Sequence, residues 1–212
     1  GISLHEGAAA GVKTLKGLIP CKACIVCTGG LSYPLTGSTG DGFRFAKAAG
    51  HTVSPLRPSL VPLESQDPCC ARLQGLSLKN VELRVFEDDR LLCREQGEML
   101  FTHFGFSGPL ILEASCHLPA DGGAFSLWLD LKPGLTLDQL DARLRRDLEG
   151  GGKKQLKNIL PGLLPASLAE LFPSLCGVSG ETLCSQVTAA ERDRIIACLK
   201  ALPLRVKGRR PI

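Results

Sequence analysis

The run Thr28-Gly-Gly-Leu-Ser-Tyr-Pro-Leu-Thr-Gly-Ser-Thr-Gly-Asp-Gly42 is the densest chemical signal in this chain. It follows a short apolar run, Ala23 to Val26, that reads as a strand, and it precedes a helical pattern from Phe43 to Ala49. Strand, glycine-rich loop and helix is a layout that brings backbone close to a phosphate. Glycines admit close approach, and a helix start offers unpaired N–H groups at the positive end of its dipole. The loop therefore points to a nucleotide or a flavin. It lacks the lysine of a Walker loop. Its glycines run Gly37-x-x-Gly40-x-Gly42 with an acid, Asp41, inside the loop, so it is not a dinucleotide fingerprint either. The competing reading is a turn-rich connection before a capped helix, with Asp41 as the cap or as a hydrogen-bond acceptor within the loop.

A second group of reactive types is Thr102-His-Phe-Gly-Phe-Ser-Gly-Pro109. A histidine at a strand end beside a helix N-terminus can bind an anion or relay a proton. The alternative is that His103 fixes the turn through hydrogen bonds. Tyr33, the single tyrosine, is a candidate donor or a turn-packing residue, and Ser32 stands beside it. His51 reads as structural, and His5 and His117 have no partners in the pattern. No Ser–His–Asp set and no paired carboxylates are readable, so hydrolytic chemistry has no support. In Cys21-x-x-Cys24-x-x-Cys27, strand alternation places Cys24 opposite the other two, so no metal site is expected.

The loop resembles the second flavin-contacting loop of a bacterial family of FAD-dependent flavoproteins, labelled aminoacetone oxidase-like or bile-acid dienone reductase-like. The likeness continues through His51-Thr-Val-x-Pro-Leu-x-Pro-Ser-Leu-Val-Pro-Leu63, Gly75-Leu-Ser-Leu-x-Asn-Val81, Gly97 to Pro109 and Val206-Lys-Gly-Arg-Arg-Pro-Ile212. The resemblance implies a middle portion of such a protein, mostly the domain inserted into the flavin domain. The strand and Gly-x-Gly-x-x-Gly helix that seat the ADP half of FAD are not found here. It implies that Thr28, Gly29 and Gly30 approach FAD through backbone, that Thr36, Gly37, Ser38 and Thr39 shape the loop, that Ser32 and Tyr33 face the active cavity, and that Ser32, Gly40, Asp41 and Gly42 complete the cofactor-binding set. Thr102, His103 and Tyr33 are the implied catalytic side chains. The implied function is a substrate domain that covers the flavin of an oxidoreductase, with NAD(P)H as possible reductant. This chain alone is expected to be inactive and to lack tightly bound FAD. A non-catalytic assembly module and a simple nucleotide-phosphate binder are the alternatives.

The elements that must position these residues read as α+β. Residues 1–52 are expected to form the end of a split FAD-binding domain, and 53–134 an inserted β-rich subdomain. A small helical subdomain over 135–203 and a return strand over 204–212 complete the expectation. Prolines at 55, 58, 62 and 68 forbid a helix at the crossing. Strands are predicted from Leu78 to Phe86, Leu91 to Arg94, Gly97 to Thr102 and Phe125 to Leu131, with Ser107 capping a helix that starts at Pro109. Leu137, Leu140, Leu144 and Leu148 share a helical face, and Thr188 with Glu191 forms a capping box.

The 212 residues, 44% hydrophobic and 22% charged, suit a globular chain with a real core. No apolar run reaches the roughly 20 residues of a membrane span, and no signal peptide is readable, so no membrane partner is expected. Ten cysteines inside apolar patterns read as reduced thiols, hence a cytoplasmic location. The net charge of +4 is modest and aromatics are sparse at 5%, so no nucleic-acid partner is expected. The clusters Arg143, Arg145, Arg146 and Lys207, Arg209, Arg210 read as solvated faces. The expected partners are a small-molecule substrate and the rest of the FAD domain.

Overall fold

The computed structural model describes residues 1–119 and 125–211. These form two compact units, Gly1–Arg57 and Pro58–Pro211. The class is mixed α and β.

In the first unit, β1 (Ile2–His5), β2 (Ala8–Thr14) and β3 (Gly17–Pro20) form an antiparallel meander. Helix α1 (Asp41–Ala48) follows the glycine loop. Gly50 ends it in a left-handed conformation, and the His51 N–H donates to the Ala46 carbonyl at 3.0 Å. That bond gives His51 a backbone role in closing the helix. The expected strand over Ala23 to Val26 is not formed. Ile25 is 88% exposed and Val26 43%, and no described strand pairs with them. β-branched residues favour a strand, but a strand exists only through its ladder.

The second unit is built on a seven-stranded antiparallel sheet. Its strands are β4 (Leu63–Glu64), β5 (Ser77–Glu87), β6 (Arg90–Thr102), β7 (Gly105–Ser107), β8 (Phe125–Asp130), β9 (Leu202–Leu204) and β10 (Gly208–Arg209). Their order is β10-β4-β7-β6-β5-β8-β9. The two edge strands are consecutive in the chain, separated only by residues 205–207. That connector reaches about 14 Å at most. A flat sheet with six spacings of about 4.8 Å would set the edges about 29 Å apart. The sheet must therefore curl toward closure as a barrel. Ser65 Oγ donates to the Arg205 carbonyl at 2.5 Å and the Lys207 N–H to the Glu64 carbonyl at 2.7 Å, fastening the connector to the β4 side.

The two strands predicted over 91–94 and 97–102 are one strand, because Glu95 and Gln96 simply continue the ladder opposite Leu83 and Glu82. The return strand predicted from residue 204 is replaced by β9 and β10, with Pro203 at the edge position where a missing N–H costs least. The barrel interior holds Leu63, Val85, Phe101, Phe106, Leu127 and Leu129, all 2% exposed or less. Phe101 and Phe106 meet edge-on at 5.5 Å.

Two helices belong with the barrel: α2 (Pro68–Arg72) and α3 (Pro109–His117). The helical portion contains α4 (Leu137–Gly151), α5 (Leu156–Ile159), α6 (Ala166–Leu175) and α7 (Ala189–Lys200). Capping boxes start α4 at Thr136 and Gln139, and α7 at Thr188 and Glu191. Leu140, Leu144 and Leu148 are the buried stripe of α4, and Arg192 of α7 pairs with Asp141 at 2.7 Å. Arg143 and Arg145 pair with Asp147 and Asp141 one turn away on the same helix. A buried ion pair ties barrel to helices. Lys200 Nζ lies 2.5 Å from Asp130, their side chains 19% and 6% exposed, and also donates to the Lys132 and Leu135 carbonyls.

Candidate functional site

The glycine loop is a folded object in its own right. Tyr33, in a left-handed conformation (φ 58°), starts a single 3-10 turn over Pro34–Thr36 that Gly37 ends. Thr36 Oγ1 donates to the Tyr33 carbonyl at 2.7 Å, and the Gly40 N–H donates to the Gly30 carbonyl at 3.0 Å, closing the neck. Ser38 lies against Gly29, where a Cβ would stand 2.5 Å from the serine Oγ. A Cβ at Gly42 would stand 2.9 Å from Thr28 Oγ1. These two glycines are needed for the loop's own packing.

Gly30 is different. Its φ is ordinary, it is exposed, and nothing lies within 4 Å of the Cβ it lacks. No side chain or backbone of this chain would meet a Cβ there, so the space beside Gly30 is open. Beside it, Thr28 Oγ1 is buried without a hydrogen-bond partner among the described residues. An orphaned hydroxyl next to open backbone fits the edge of a planar cofactor with hydrogen-bonding atoms, as a flavin has.

Asp41 does not cap α1, since Gly40 holds that position without a side-chain bond. It accepts from Thr39 Oγ1 at 3.2 Å and pairs with Arg44. The Arg44 hydrogen bond holds its carboxyl below the usual aspartate value. Ser32 and Tyr33 are exposed, Tyr33 by 80%.

The second group lies in the other unit, at the β6–β7 turn. Thr102 Oγ1 donates to the Gly105 carbonyl at 3.1 Å, and the Ser65 N–H donates to the Phe104 carbonyl at 2.9 Å. Gly105 has φ 147°, and a Cβ there would stand 2.3 Å from the Leu63 carbonyl oxygen. Ser107 belongs to β7, and the N-cap of α3 is Gly108, because Ser107 is held in the ladder opposite Leu100. Thr102 thus fixes the turn. His103 is exposed, makes no hydrogen bond among the described residues, and meets Phe104 edge-on at 5.1 Å. On the same ring sits Arg210, its Cζ 4.0 Å from the centroid.

The terminal basic cluster is therefore not a solvated face. Arg209 donates to the carbonyls of Ser115, Leu118 and Pro119 at 2.8, 2.5 and 3.1 Å, gripping the end of α3. Sequence reasoning missed both arginines. Their partners lie about 90 to 106 positions earlier, beyond the reach of any local pattern. All ten cysteines are free thiols, and no cluster of three or more His, Cys, Asp or Glu able to hold a metal occurs among the described residues. No helix of the described residues is long and apolar enough to cross a membrane.

Comparison with known proteins bears on this geometry. The family described as HI0933-like protein barrel and H2TH domain matches residues 57–212. The chain is 36% identical over 157 residues to a ribosomal RNA dihydrouridine synthase of Haemophilus influenzae, covering 72% of this chain and 36% of that protein. It is 29% identical over 181 residues to the ribosomal RNA dihydrouridine synthase of Escherichia coli, covering 85% and 43%. It is 25% identical over 187 residues to a 3-dehydro-bile acid delta(4,6)-reductase of Clostridium scindens, covering 86% and 46%. The chain thus spans less than half the length of these curated relatives. With a nearly closed barrel followed by a helical portion, and with this match over its second unit, the chain belongs to the HI0933-like family.

Proposed function

We propose that this chain is the insert-bearing portion of an FAD-dependent oxidoreductase that reduces a carbon–carbon double bond conjugated to a carbonyl. The observation that carries the reading is the unsatisfied Thr28 hydroxyl beside the open space at Gly30. The names of the relatives agree on the chemistry. Dihydrouridine is uridine whose ring double bond has been reduced, and a delta(4,6)-reductase acts on double bonds conjugated to a ring ketone. Both products arise by adding a hydride and a proton across an activated C=C.

Bound FAD supplies hydride transfer, with NAD(P)H as its reductant. Thr28, Gly29 and Gly30 hold one flavin edge, and the Thr36–Gly42 turn keeps that edge in shape. The rest of the flavin domain is the partner that pairs with Ala23 to Val26. Residues 53–134 and 135–203 form the β-rich and helical parts of the insert, which covers the flavin, shapes the substrate pocket and keeps water out. Thr102 holds the turn that presents His103. His103 is the proposed donor of the proton that accompanies the hydride, and the Tyr33 hydroxyl is a second proposed donor.

The substrate proposed from the sequence is a small molecule. A second reading, a uracil ring in ribosomal RNA, is favoured by the names of the relatives at 36% and 29% identity. The test uses the full-length protein with its flavin reduced anaerobically and offered a 3-oxo-4,6-diene steroid and unmodified ribosomal RNA. Flavin reoxidation by the steroid or the RNA, with a saturated product, is expected. Reoxidation by neither would overturn the reading.

A further inference from the structure

We propose that Arg210, stacked on Phe104 beside His103, is a binding site for a phosphate-ester oxyanion. Every part of the stack is pinned through backbone. The Arg210 N–H donates to the Pro62 carbonyl at 2.9 Å, the Phe104 carbonyl accepts from Ser65, and the turn that carries both rings is tied by Thr102. The aromatic ring occupies one face of the guanidinium at 4.0 Å. A cation–π contact uses the face and leaves the in-plane N–H donors free.

Those donors are unspent. Among the described residues the Arg210 guanidinium makes no hydrogen bond and no ion pair, unlike its neighbour Arg209, whose donors go to three carbonyls. An arginine with fixed orientation and free donors is a ready fork for a two-oxygen anion. The His103 ring, with both nitrogens free of protein hydrogen bonds among the described residues, lies against the other partner of the stack.

The chain leading to Arg210 is basic: Arg205 and Lys207, on the connector before it, line a cavity of about 340 Å³ of their own with Gln66, Asp67 and Pro68. Neither cation makes a side-chain ion pair among the described residues, and the acids on the paired segment are Glu64 and Asp67. Three cations without side-chain ion pairs among the described residues, Arg205, Lys207 and Arg210, thus fall within six positions of chain, a charge that suits an ester carrying one or two negative charges. The phosphate can come from a free nucleotide or from an RNA strand.

The inference concerns equilibrium binding by this chain and does not rest on flavin chemistry. The test measures binding of ADP by calorimetry and of a fluorescein-labelled decauridylate by anisotropy at low salt. The 212-residue chain is compared with Arg210→Ala, Arg210→Lys and Phe104→Ala. At least one probe is expected to bind. Arg210→Ala should weaken it about tenfold, as loss of a charge-assisted bidentate contact does, and Arg210→Lys should recover only part. Binding of ADP alone assigns the site to a free nucleotide. Binding of decauridylate, with a salt slope reduced by about 0.7 in Arg210→Ala, assigns it to an RNA phosphate. Because the Arg210 side chain makes no contact with this chain beyond its stacking on Phe104 among the described residues, its variants should lower the urea midpoint only slightly. Dissociation constants above about 1 mM for both probes, or equal binding by a folded Arg210→Ala, would overturn the inference.

Discussion

Replacing Arg209 with alanine tests how the barrel edge is held. Arg209 lies on β10, and its guanidinium reaches three carbonyls at the end of α3, those of Ser115, Leu118 and Pro119. Ser115 is fully buried and Leu118 is 5% exposed, so water cannot freely replace the lost donors. Each hydrogen bond from a charged donor in a half-buried setting contributes about 1–1.5 kcal/mol net, and the favourable pairing of a cation with a helix C-terminus adds about 0.5 kcal/mol. The expected loss is about 3.5–5 kcal/mol. For a unit of this size that lowers the melting temperature by about 7–20 °C. Arg209→Lys can satisfy only part of the set and should fall between. The single tryptophan, Trp128, sits on β8 of the same barrel, so its fluorescence reports urea unfolding of this unit. Arg146→Ala is the control, because Arg146 has only an exposed 3.4 Å contact to the Ala142 carbonyl and should shift stability by less than about 0.5 kcal/mol. A loss below about 1 kcal/mol for Arg209→Ala, or one equal to the Arg146 control, would refute the reasoning.

Gly105→Ala forces a Cβ to 2.3 Å from the Leu63 carbonyl at a positive φ, so it should cost more than about 3 kcal/mol and be seen as a collapsed urea midpoint. Gly30→Ala enters open space and should leave the urea midpoint within about 0.5 kcal/mol. In the full-length protein the same change should raise the flavin dissociation constant, measured by fluorescence titration. Asp130→Ala strands the Lys200 charge in a nearly buried site and should cost about 3 kcal/mol, while adding Lys200→Met should restore part of it. Backbone and hydroxyl hydrogen bonds from Thr188 hold the Glu191 carboxyl below the usual glutamate value. Its contribution is therefore complete above the unfolded value and is lost as pH falls through the folded one. Glu191→Ala should cost about 0.5–1 kcal/mol at pH 7 and progressively less below about pH 4 in acid-titrated urea melts.

Much of this molecule is legible one segment at a time. The capping boxes at Thr136 and Thr188, the leucine stripe of α4, the Gly50 helix stop and the Pro109 helix start follow from interactions that span a few residues. Such interactions repeat wherever the same spacing occurs, so the pattern suffices. The mixed α and β class, with a β-rich stretch before a helical one, follows from the change in hydrophobic period. The glycine loop is also visible in sequence, as is the reactive turn from Thr102 to Pro109.

What each residue does there is decided at long range. Sequence alone treats the glycines of the loop alike, yet Gly29 and Gly42 are required by Ser38 and Thr28 while Gly30 faces open space. It offers His103 as the residue that ties the turn, and the Thr102 hydroxyl is the one that bonds it. The apolar run at Ala23 to Val26 has strand propensity, but a ladder needs a second chain segment that propensity cannot supply. Arg209 and Arg210 read as a solvated basic tail. Closing the sheet brings β10 beside β4 and sets one arginine on the end of α3 and the other on Phe104. Local spacing determined which helices start and stop and where backbone is left bare. Tertiary packing decided which charges are spent on carbonyls and which remain free, because it alone places residues 90 positions apart within hydrogen-bonding distance.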